Sequence, residues 1–326
     1  MSRAMSTGTT PTAADPPTTP RDRRARRRRS TLRRYLVVAA FMSPWAIGFV
    51  AFYLYPMLAS LYFSFTQYDL VSQPKWTGLG NYRYMLTNDP SFWQAMRNTL
   101  WIVAISTPIQ VAFAMGTAMV LTRVKRGGPI FRTVFFAPTM VPAVAATLGF
   151  LFLLNPSGPL DRLLGFLHLP QPLWFQDPTY SKPGLVLLAM WGIGNTMIIF
   201  LAALLDVPRT LYEAAEAEGA NAWQQFRFVT LPLISPVIFF SLVIGVIYGF
   251  QYFTEAYVAA GGSSSLGDPQ GSLLFYGIWL YQQGFSYFHM GYASALAWVL
   301  FLIIMLWTLI LIRSSRRWVH YGGGLR

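Results

Sequence analysis

Long apolar runs alternate with short polar segments along most of this chain, and six of the runs are long enough to cross a lipid bilayer. They cover about residues 35–57, 99–121, 133–154, 184–205, 233–257 and 287–312. A helix needs about 20 predominantly apolar residues to span the hydrocarbon core of a membrane. The pattern therefore predicts an all-α, polytopic membrane protein with six transmembrane helices.

The composition supports this prediction and excludes several kinds of site. Hydrophobic residues make up 54% of the 326 positions and charged residues 11%, whereas about 25% charged is usual in soluble domains. The chain has no cysteine, which excludes disulfides, thiolate metal sites and a cysteine nucleophile. The three histidines, His168, His289 and His320, are not arranged as metal ligands, so we expect no metal or cofactor in this chain.

The distribution of basic residues predicts the orientation in the membrane. Twenty of the 25 lysines and arginines lie in the terminal segments, in the loop after the second span and in the segment after the fourth. By the positive-inside rule, both termini are expected to be cytoplasmic. We divide the chain into a disordered basic tail (residues 1–33), a membrane domain (residues 34–313) and a short cytoplasmic C-terminus (residues 314–326). We expect the tail to contact anionic lipid rather than nucleic acid.

A polar segment, Leu211 to Pro232 (LYEAAEAEGANAWQQFRFVTLP), separates the fourth and fifth spans. Four residues in or beside it form two patterns of the capping-box type: Thr210 with Glu213, and Asn221 with Gln224. Gly219 stands where a first helix would end, and Pro232 where a second would end. The segment is therefore predicted to form two short helices joined by a tight turn.

The first of these predicted helices carries an acidic face. Glu213, Glu216 and Glu218 provide three carboxylates, while Ala214 and Ala215 permit close approach of another backbone. Helices that lie on the inner leaflet prefer lysine and arginine on their polar face. The acidic face thus favours a protein partner over lipid, with an ordinary, well-capped connecting loop as the alternative.

The spacing in this segment resembles the cytoplasmic EAA signature of the membrane subunits of bacterial ABC importers. The matching residues are Glu213-Ala214-Ala215, Gly219 and Val229-Thr230-Leu231-Pro232. Three further stretches resemble the carbohydrate-uptake branch: GLGNYRYML after the first span, APTMVPAV at the third and GYASALAWVL in the sixth. Two features depart from the family's common pattern: Glu218 stands where aspartate is frequent, and the stretch 258–272 is longer and serine-rich.

The resemblance implies a type I ABC importer permease fold in which the segment of about residues 206–232 couples the spans to a cytoplasmic ATPase dimer. The residues implied in coupling are Glu213, Ala214, Ala215, Gly219, Leu231 and Pro232. By analogy, Glu213 makes polar contacts with the ATPase, Ala214 and Ala215 pack in its groove, and Gly219 allows the turn.

The resemblance also implies partners, a location and a substrate class. The partners would be a second permease subunit in a heterodimer, the ABC ATPase dimer and an extracytoplasmic solute-binding protein, all at a bacterial cell membrane. The chain has no GxxxxGK[ST] phosphate loop, so we expect no enzyme activity in it and ATP bound by a separate subunit. The implied substrate is a sugar, with a di- or oligosaccharide preferred and glycerol-3-phosphate or another small polar solute as the alternative.

Candidate residues for the substrate path lie mainly in the fifth span. Four polar or aromatic residues lie there at spacings of three and four, which would place them on one helical face: Tyr248, Gln251, Tyr252 and Glu255. Asn195 in the fourth span could join them. Aromatic rings suit the apolar faces of a sugar, and amide or carboxylate groups suit its hydroxyls. Alternatively, Tyr252 and Glu255 lie at the outer interface as a belt tyrosine and a solvated acid.

Two other functional classes fit the sequence less well. A membrane enzyme would need paired carboxylates, an HExxH motif or a Ser/His/Asp set, but Asp69, Asp89 and Asp161 are scattered among loops. A secondary transporter usually carries charged residues at mid-membrane depth, and the predicted spans have almost none.

Overall fold

The all-α fold is confirmed in a computed structural model, which describes residues 20–124, 126–262 and 267–320, with only the backbone described for residues 20–33. Four of its helices are long and apolar enough to cross a membrane, and the number rises to six when each of two bent helix pairs is counted as one span. The chain divides into two compact units, Met1–Ala59 and Ser60–Arg326.

The first unit contains helix α1 (Pro20–Phe49) and the start of α2 (Tyr55–Ser64), with a π-helical turn, Val50–Leu54, between them. Residues 20–33 are therefore helical, which corrects the predicted disorder for that part of the tail; arginine is a good helix former. The rest of that tail, residues 1–19, lies outside the described residues. The first predicted span thus extends over Arg34–Ser64.

A small folded connection follows the first span. Strands β1 (Thr66–Gln67) and β2 (Lys75–Trp76) pair antiparallel and are followed by helix α3 (Gly80–Thr87). The Asn81 side-chain amide donates to the carbonyl oxygens of Ser64 and Thr66, at 2.9 Å each, and so holds α3 against the hairpin.

The second span is helix α4 (Pro90–Arg123), which begins nine residues before the apolar run because Asp89 caps it and Pro90 occupies its first turn. Helix α4 is the centre of the second unit. It packs against the fourth and fifth spans and against a short helix that precedes the sixth.

The third span is broken at its prolines. Helix α5 (Gly128–Phe136) continues through a 3₁₀ turn (Ala137–Met140), and helix α6 (Ala143–Leu153) leaves at 101° to it. Pro142 is extended, with ψ 139°, and cannot donate a backbone hydrogen bond, so the helical ladder is interrupted there. Helix α7 (Pro159–Phe166) lies in the loop that follows.

The fourth span is also broken, into helices α8 (Pro178–Trp191) and α9 (Gly194–Leu205), which meet at 51°. Gly194 is buried at the break. A β-carbon there would lie 2.7 Å from the carbonyl oxygen of Phe135 and 2.8 Å from the Cα of Phe136. The breaks of the third and fourth spans therefore pack directly against each other.

Helix α10 (Arg209–Ala217) is followed by a continuous 29-residue helix, Ala222–Phe250, made of α11 (Ala222–Gln225), a π-helical turn (Phe226–Thr230) and α12 (Leu231–Phe250). The prediction that Pro232 ends a short second helix is therefore wrong. In the π-turn the Leu231 amide donates to the carbonyl of Phe226, five residues back. This wider turn lets the helix pass the proline without ending.

Three shorter elements and the last span complete the chain. They are α13 (Thr254–Ala259), α14 (Tyr276–Tyr281), a π-helical turn (Gln282–Ser286) and α15 (Met290–Ser315). The fifth span stops at Phe250 rather than near residue 257, and Gln251, Tyr252 and Phe253 form the break before α13. Part of the serine-rich stretch, residues 263–266, lies outside the described residues.

Candidate functional site

A cavity of 810 Å³ lies within the second unit, between α4 and the third, fourth and fifth spans. Residues at the breaks of all three spans line the cavity: Val141 at the break of the third span, Gly192 at that of the fourth, and Gln251 with Phe253 at that of the fifth. Non-helical backbone at membrane depth is tolerated where it is enclosed by protein or faces a water-filled cavity. The non-helical backbone at the three breaks therefore faces this cavity.

The structure brings all five predicted path residues to this cavity: Asn195, Tyr248, Gln251, Tyr252 and Glu255 line it. They do not share one continuous helical face, as the spacing suggested, because α12 ends at Phe250 and Glu255 lies in the first turn of α13. Tyr248 is 70% exposed within this chain, so its ring is available to a molecule in the cavity.

Neutral polar side chains make up much of the rest of the polar lining. These side chains, which were not predicted from the sequence, are Ser106, Thr107, Gln110, Thr139, Thr196 and Ser241. Gln110 donates to the Ser106 hydroxyl at 2.8 Å, one turn away on α4. The signal that could have found this pair is the occurrence of serine and glutamine four residues apart inside an apolar run. The cavity therefore presents hydroxyl and amide groups from several spans.

One wall of the cavity depends on two glycines of α12 that lie four residues apart. Gly245 packs on Thr107 of α4, whose hydroxyl lies 3.4 Å from the Gly245 carbonyl oxygen. A β-carbon at Gly249 would lie 3.0 Å from Cγ2 of Val103. Small residues at this spacing let two membrane helices approach closely, which fixes the spacing of α4 and α12 beside the cavity.

The segment 206–232 presents a second candidate site, on helix α10 and its turn. Glu213 and Ala214 are exposed, whereas Ala215 is half-buried. Gly219 has φ +81° and follows the end of α10, and two backbone hydrogen bonds of 2.9 Å close the turn, from Gly219 to Glu216 and from Ala220 to Ala215. This is a Schellman turn, in which glycine avoids the strain that a side chain would suffer.

The two predicted caps of this segment have different outcomes. The Asn221 and Gln224 capping box is confirmed, because each side chain accepts from the other's backbone amide at 2.8–2.9 Å. The cap at Thr210 is wrong. Helix α10 already begins at Arg209, with Pro208 as its N-cap, because the proline ring fixes a backbone angle that suits helix entry.

A hydrogen bond between the two ends of this segment was not foreseen. The hydroxyl groups of Tyr212 and Thr230 lie 2.9 Å apart and join α10 to the π-turn below α12. Leu231 and Pro232 directly follow that turn and are half-buried. The exposed α10 is thus tied to the base of the fifth span by side chains as well as by the chain itself.

Asp89 is the clearest residue that sequence reasoning missed, because it was assigned to a loop. Its carboxylate is buried and accepts hydrogen bonds from the Phe92 amide, the Trp279 indole and the Tyr292 hydroxyl. The first of these was detectable as an N-cap before Pro90. The other two partners lie on α14 and α15 and could not be inferred from local sequence.

No acidic or histidine cluster suggests metal chemistry in the part of the chain that the structure describes: it holds no group of three or more histidines, aspartates and glutamates able to bind an ion. His289 instead bonds Gln283, with Nδ1 2.9 Å from Oε1.

Known proteins with similar sequences are membrane components of bacterial transporters. A probable ABC transporter permease protein, YesP of Bacillus subtilis (strain 168), is 42% identical over 86% of this chain and 91% of its own length. The lactose transport system permease protein LacF of Rhizobium radiobacter is 33% identical over 85% of this chain and 93% of its own. The arabinooligosaccharides transport system permease protein AraP of Bacillus subtilis (strain 168) is also 33% identical, over 84% and 87% respectively.

The fold is shared with a chain in the crystal structure of a bacterial ABC transporter that imports the acidic polysaccharide alginate, with a TM-score of 0.77 at 23% identity over 89% of this chain and 99% of that one. The family described as "Binding-protein-dependent transport system inner membrane component" matches residues 110–319, which include the cavity breaks and the segment 206–232. The chain belongs to this family of ABC transporter permeases and is a multi-pass membrane protein.

Proposed function

We propose that this chain forms part of the translocation pathway of an ABC importer for a di- or oligosaccharide. The observation that carries the proposal is the 810 Å³ cavity at the breaks of three spans. Substrate sites of other membrane transporters lie where broken helices meet near the middle of the bilayer. We assign the cavity to the substrate path on this basis.

The chemistry of the lining favours a sugar. Asn195 and Gln251 provide amide donors and acceptors, and Trp191 and Tyr248 provide aromatic faces. This combination suits a ring that has both hydroxyl groups and apolar C–H faces. The names of two relatives, which refer to lactose and to arabinooligosaccharides, support the same substrate class. The absence of arginine and lysine among the described lining residues disfavours glycerol-3-phosphate.

We further propose that the segment 206–232 couples these spans to a separate cytoplasmic ATPase dimer. The carboxylate of Glu213 is exposed on a short helix, and that helix ends in a closed turn at Gly219. A helix whose end is closed by a hydrogen-bonded turn transmits displacement better than a flexible loop. In this proposal the ATPase groove receives Ala214 and Ala215, the partner subunit binds ATP, and this chain supplies no catalytic residue or cofactor site.

The proposed orientation in the membrane rests on the distribution of basic residues. The excess of lysine and arginine in the terminal segments and in the loop after the second span favours a cytoplasmic location for them. The segment 206–232 holds only Arg209 and Arg227, and we place it on the same side because two further spans separate it from that loop. The cavity would then open toward the opposite side during import, in a bacterial inner or plasma membrane.

Two further partners complete the proposed assembly. One chain with six spans forms a thin wall, so we propose that a second, different permease subunit encloses the path. A solute-binding protein would deliver the sugar, as the family's description indicates. A structure of the alginate transporter, 21% identical to this chain, was solved in complex with an alginate pentasaccharide-bound periplasmic protein.

The proposal is tested by uptake into vesicles that hold the complete complex with ATP on the ATPase side. We expect uptake of one or more neutral di- or oligosaccharides from a radiolabelled panel. Gln251→Ala should lower uptake at least several-fold, whereas Gln176→Ala, which removes an exposed amide outside the cavity, should not. Uptake of glycerol-3-phosphate without any sugar would show that the substrate class is wrong.

A further inference from the structure

The cavity carries an unequal distribution of charge. Among the described residues that line it, Glu255 is the only one with a charged side chain. It lies in the first turn of α13, which packs against α6, and so between the fifth and third spans. The cations on the described helices around the cavity, Arg97, Arg123, Arg132 and Lys182, are not among the lining residues, and the Lys182 ammonium lies over the Trp101 ring at 5.7 Å.

We propose that Glu255 makes the cavity an electrostatic filter that admits neutral and cationic saccharides and slows anionic ones such as uronic acids. This inference rests on the proposed function of the cavity as a sugar path. A carboxylate in a concave site with low-dielectric walls produces a local negative potential, because the walls focus its field. The neutral polar residues around it bind hydroxyl groups without adding a compensating positive charge.

The filter has a physical consequence that does not depend on transport. Any small charged probe in the cavity should encounter a potential that favours cations. The chain has no native cysteine, so a single introduced thiol reports on one chosen place. Asn195→Cys places that thiol in the cavity, and Val71→Cys places one on the hairpin loop, where the side chain is 95% exposed.

The experiment measures how fast each thiol in the purified complex reacts with methanethiosulfonate reagents that are cationic, anionic or neutral. The same complex without the introduced cysteine gives the background. At Asn195→Cys the cationic reagent should react faster than the anionic one, relative to the neutral reagent. Adding Glu255→Gln should lower the cation-to-anion ratio about five- to tenfold, as expected for the loss of one charge within the same partly hydrated cavity.

Asp69→Asn provides the matched control. Asp69 lies on the exposed hairpin loop and accepts hydrogen bonds from the Val71 and Ser72 amides, which an asparagine oxygen can also accept. Asp69→Asn should lower the cation-to-anion ratio at Val71→Cys but not at Asn195→Cys. Glu255→Gln should lower that ratio at Asn195→Cys but not at Val71→Cys. An unchanged ratio at Asn195→Cys in the Glu255→Gln variant, or a native preference for the anionic reagent there, would overturn the filter.

These rates also separate the filter from the proposed function. A charge-dependent ratio in a complex that takes up no sugar would leave the filter in place and refute the sugar path. Sugar uptake together with a ratio that does not depend on Glu255 would support the sugar path and refute the filter.

Discussion

The Asp89 carboxylate accepts a hydrogen bond from the Trp279 indole nitrogen at 2.8 Å, across 190 residues of sequence. The same carboxylate caps α4 through the Phe92 amide and accepts from the Tyr292 hydroxyl at the start of α15. Asp89 is only 4% exposed. One buried acid therefore fixes the beginning of the second span to the two elements at the beginning of the sixth.

Asp89→Ala should destabilise the protein strongly, by about 3–5 kcal/mol, because it removes an N-cap and leaves two buried donors without their acceptor. We expect this loss of stability to lower the midpoint of thermal unfolding, measured in detergent. Asp69→Asn removes an exposed carboxylate but keeps an acceptor for the Val71 and Ser72 amides, so it should leave the midpoint within about 1 °C. Equal midpoints for Asp89→Ala and the native protein would show that the buried cluster does not stabilise the fold.

Gly194→Ala should also destabilise the protein, by about 1–3 kcal/mol, because the added carbon would meet the backbone of Phe135 and Phe136 at less than contact distance. Gly116→Ala is the matched control. Among the described residues, no atom apart from the neighbouring backbone of helix α4 lies within 4 Å of a β-carbon at Gly116, so that substitution should be neutral or slightly stabilising. Thermal unfolding of both variants distinguishes crowding at the break from a general effect of the added methyl group.

The bond between the Tyr212 and Thr230 hydroxyls should matter for coupling more than for folding. Tyr212→Phe and Thr230→Val each remove it, and each should lower sugar uptake per ATP hydrolysed about two- to fivefold, as expected for loss of about one hydrogen bond. Because both substitutions break the same contact, the double variant should take up as much sugar per ATP as the more impaired of the two single variants. Additive losses would mean that the two hydroxyls act separately.

The spans were predictable from sequence because six apolar runs of sufficient length are an unambiguous signal. The breaks within the spans were not predictable in this way. Proline at 142 interrupts its span, yet Pro232 lies within a continuous helix because a π-turn precedes it. Composition alone does not distinguish these two outcomes.

The candidate sites show the same division between local and long-range information. Tyr248 and Gln251 were proposed from helical spacing, and Gly219 from its place after a helix, since these are local signals; the two path candidates line the cavity although the helix ends between them. Asp89 was missed because its burial depends on partners about 190 residues away. The contribution of Ser106 to the cavity likewise depends on how four spans pack together.

Coupling through the segment 206–232 is the central claim for this chain, and Glu213→Lys tests it most directly. The measurement is ATP-dependent uptake of radiolabelled sugar in vesicles that contain the complete complex, with the unfolding midpoint as a check on folding. Glu213 is exposed, so the substitution should leave the midpoint unchanged. We expect uptake to fall at least tenfold while the subunits remain in the membrane; uptake at the native rate would contradict the coupling role.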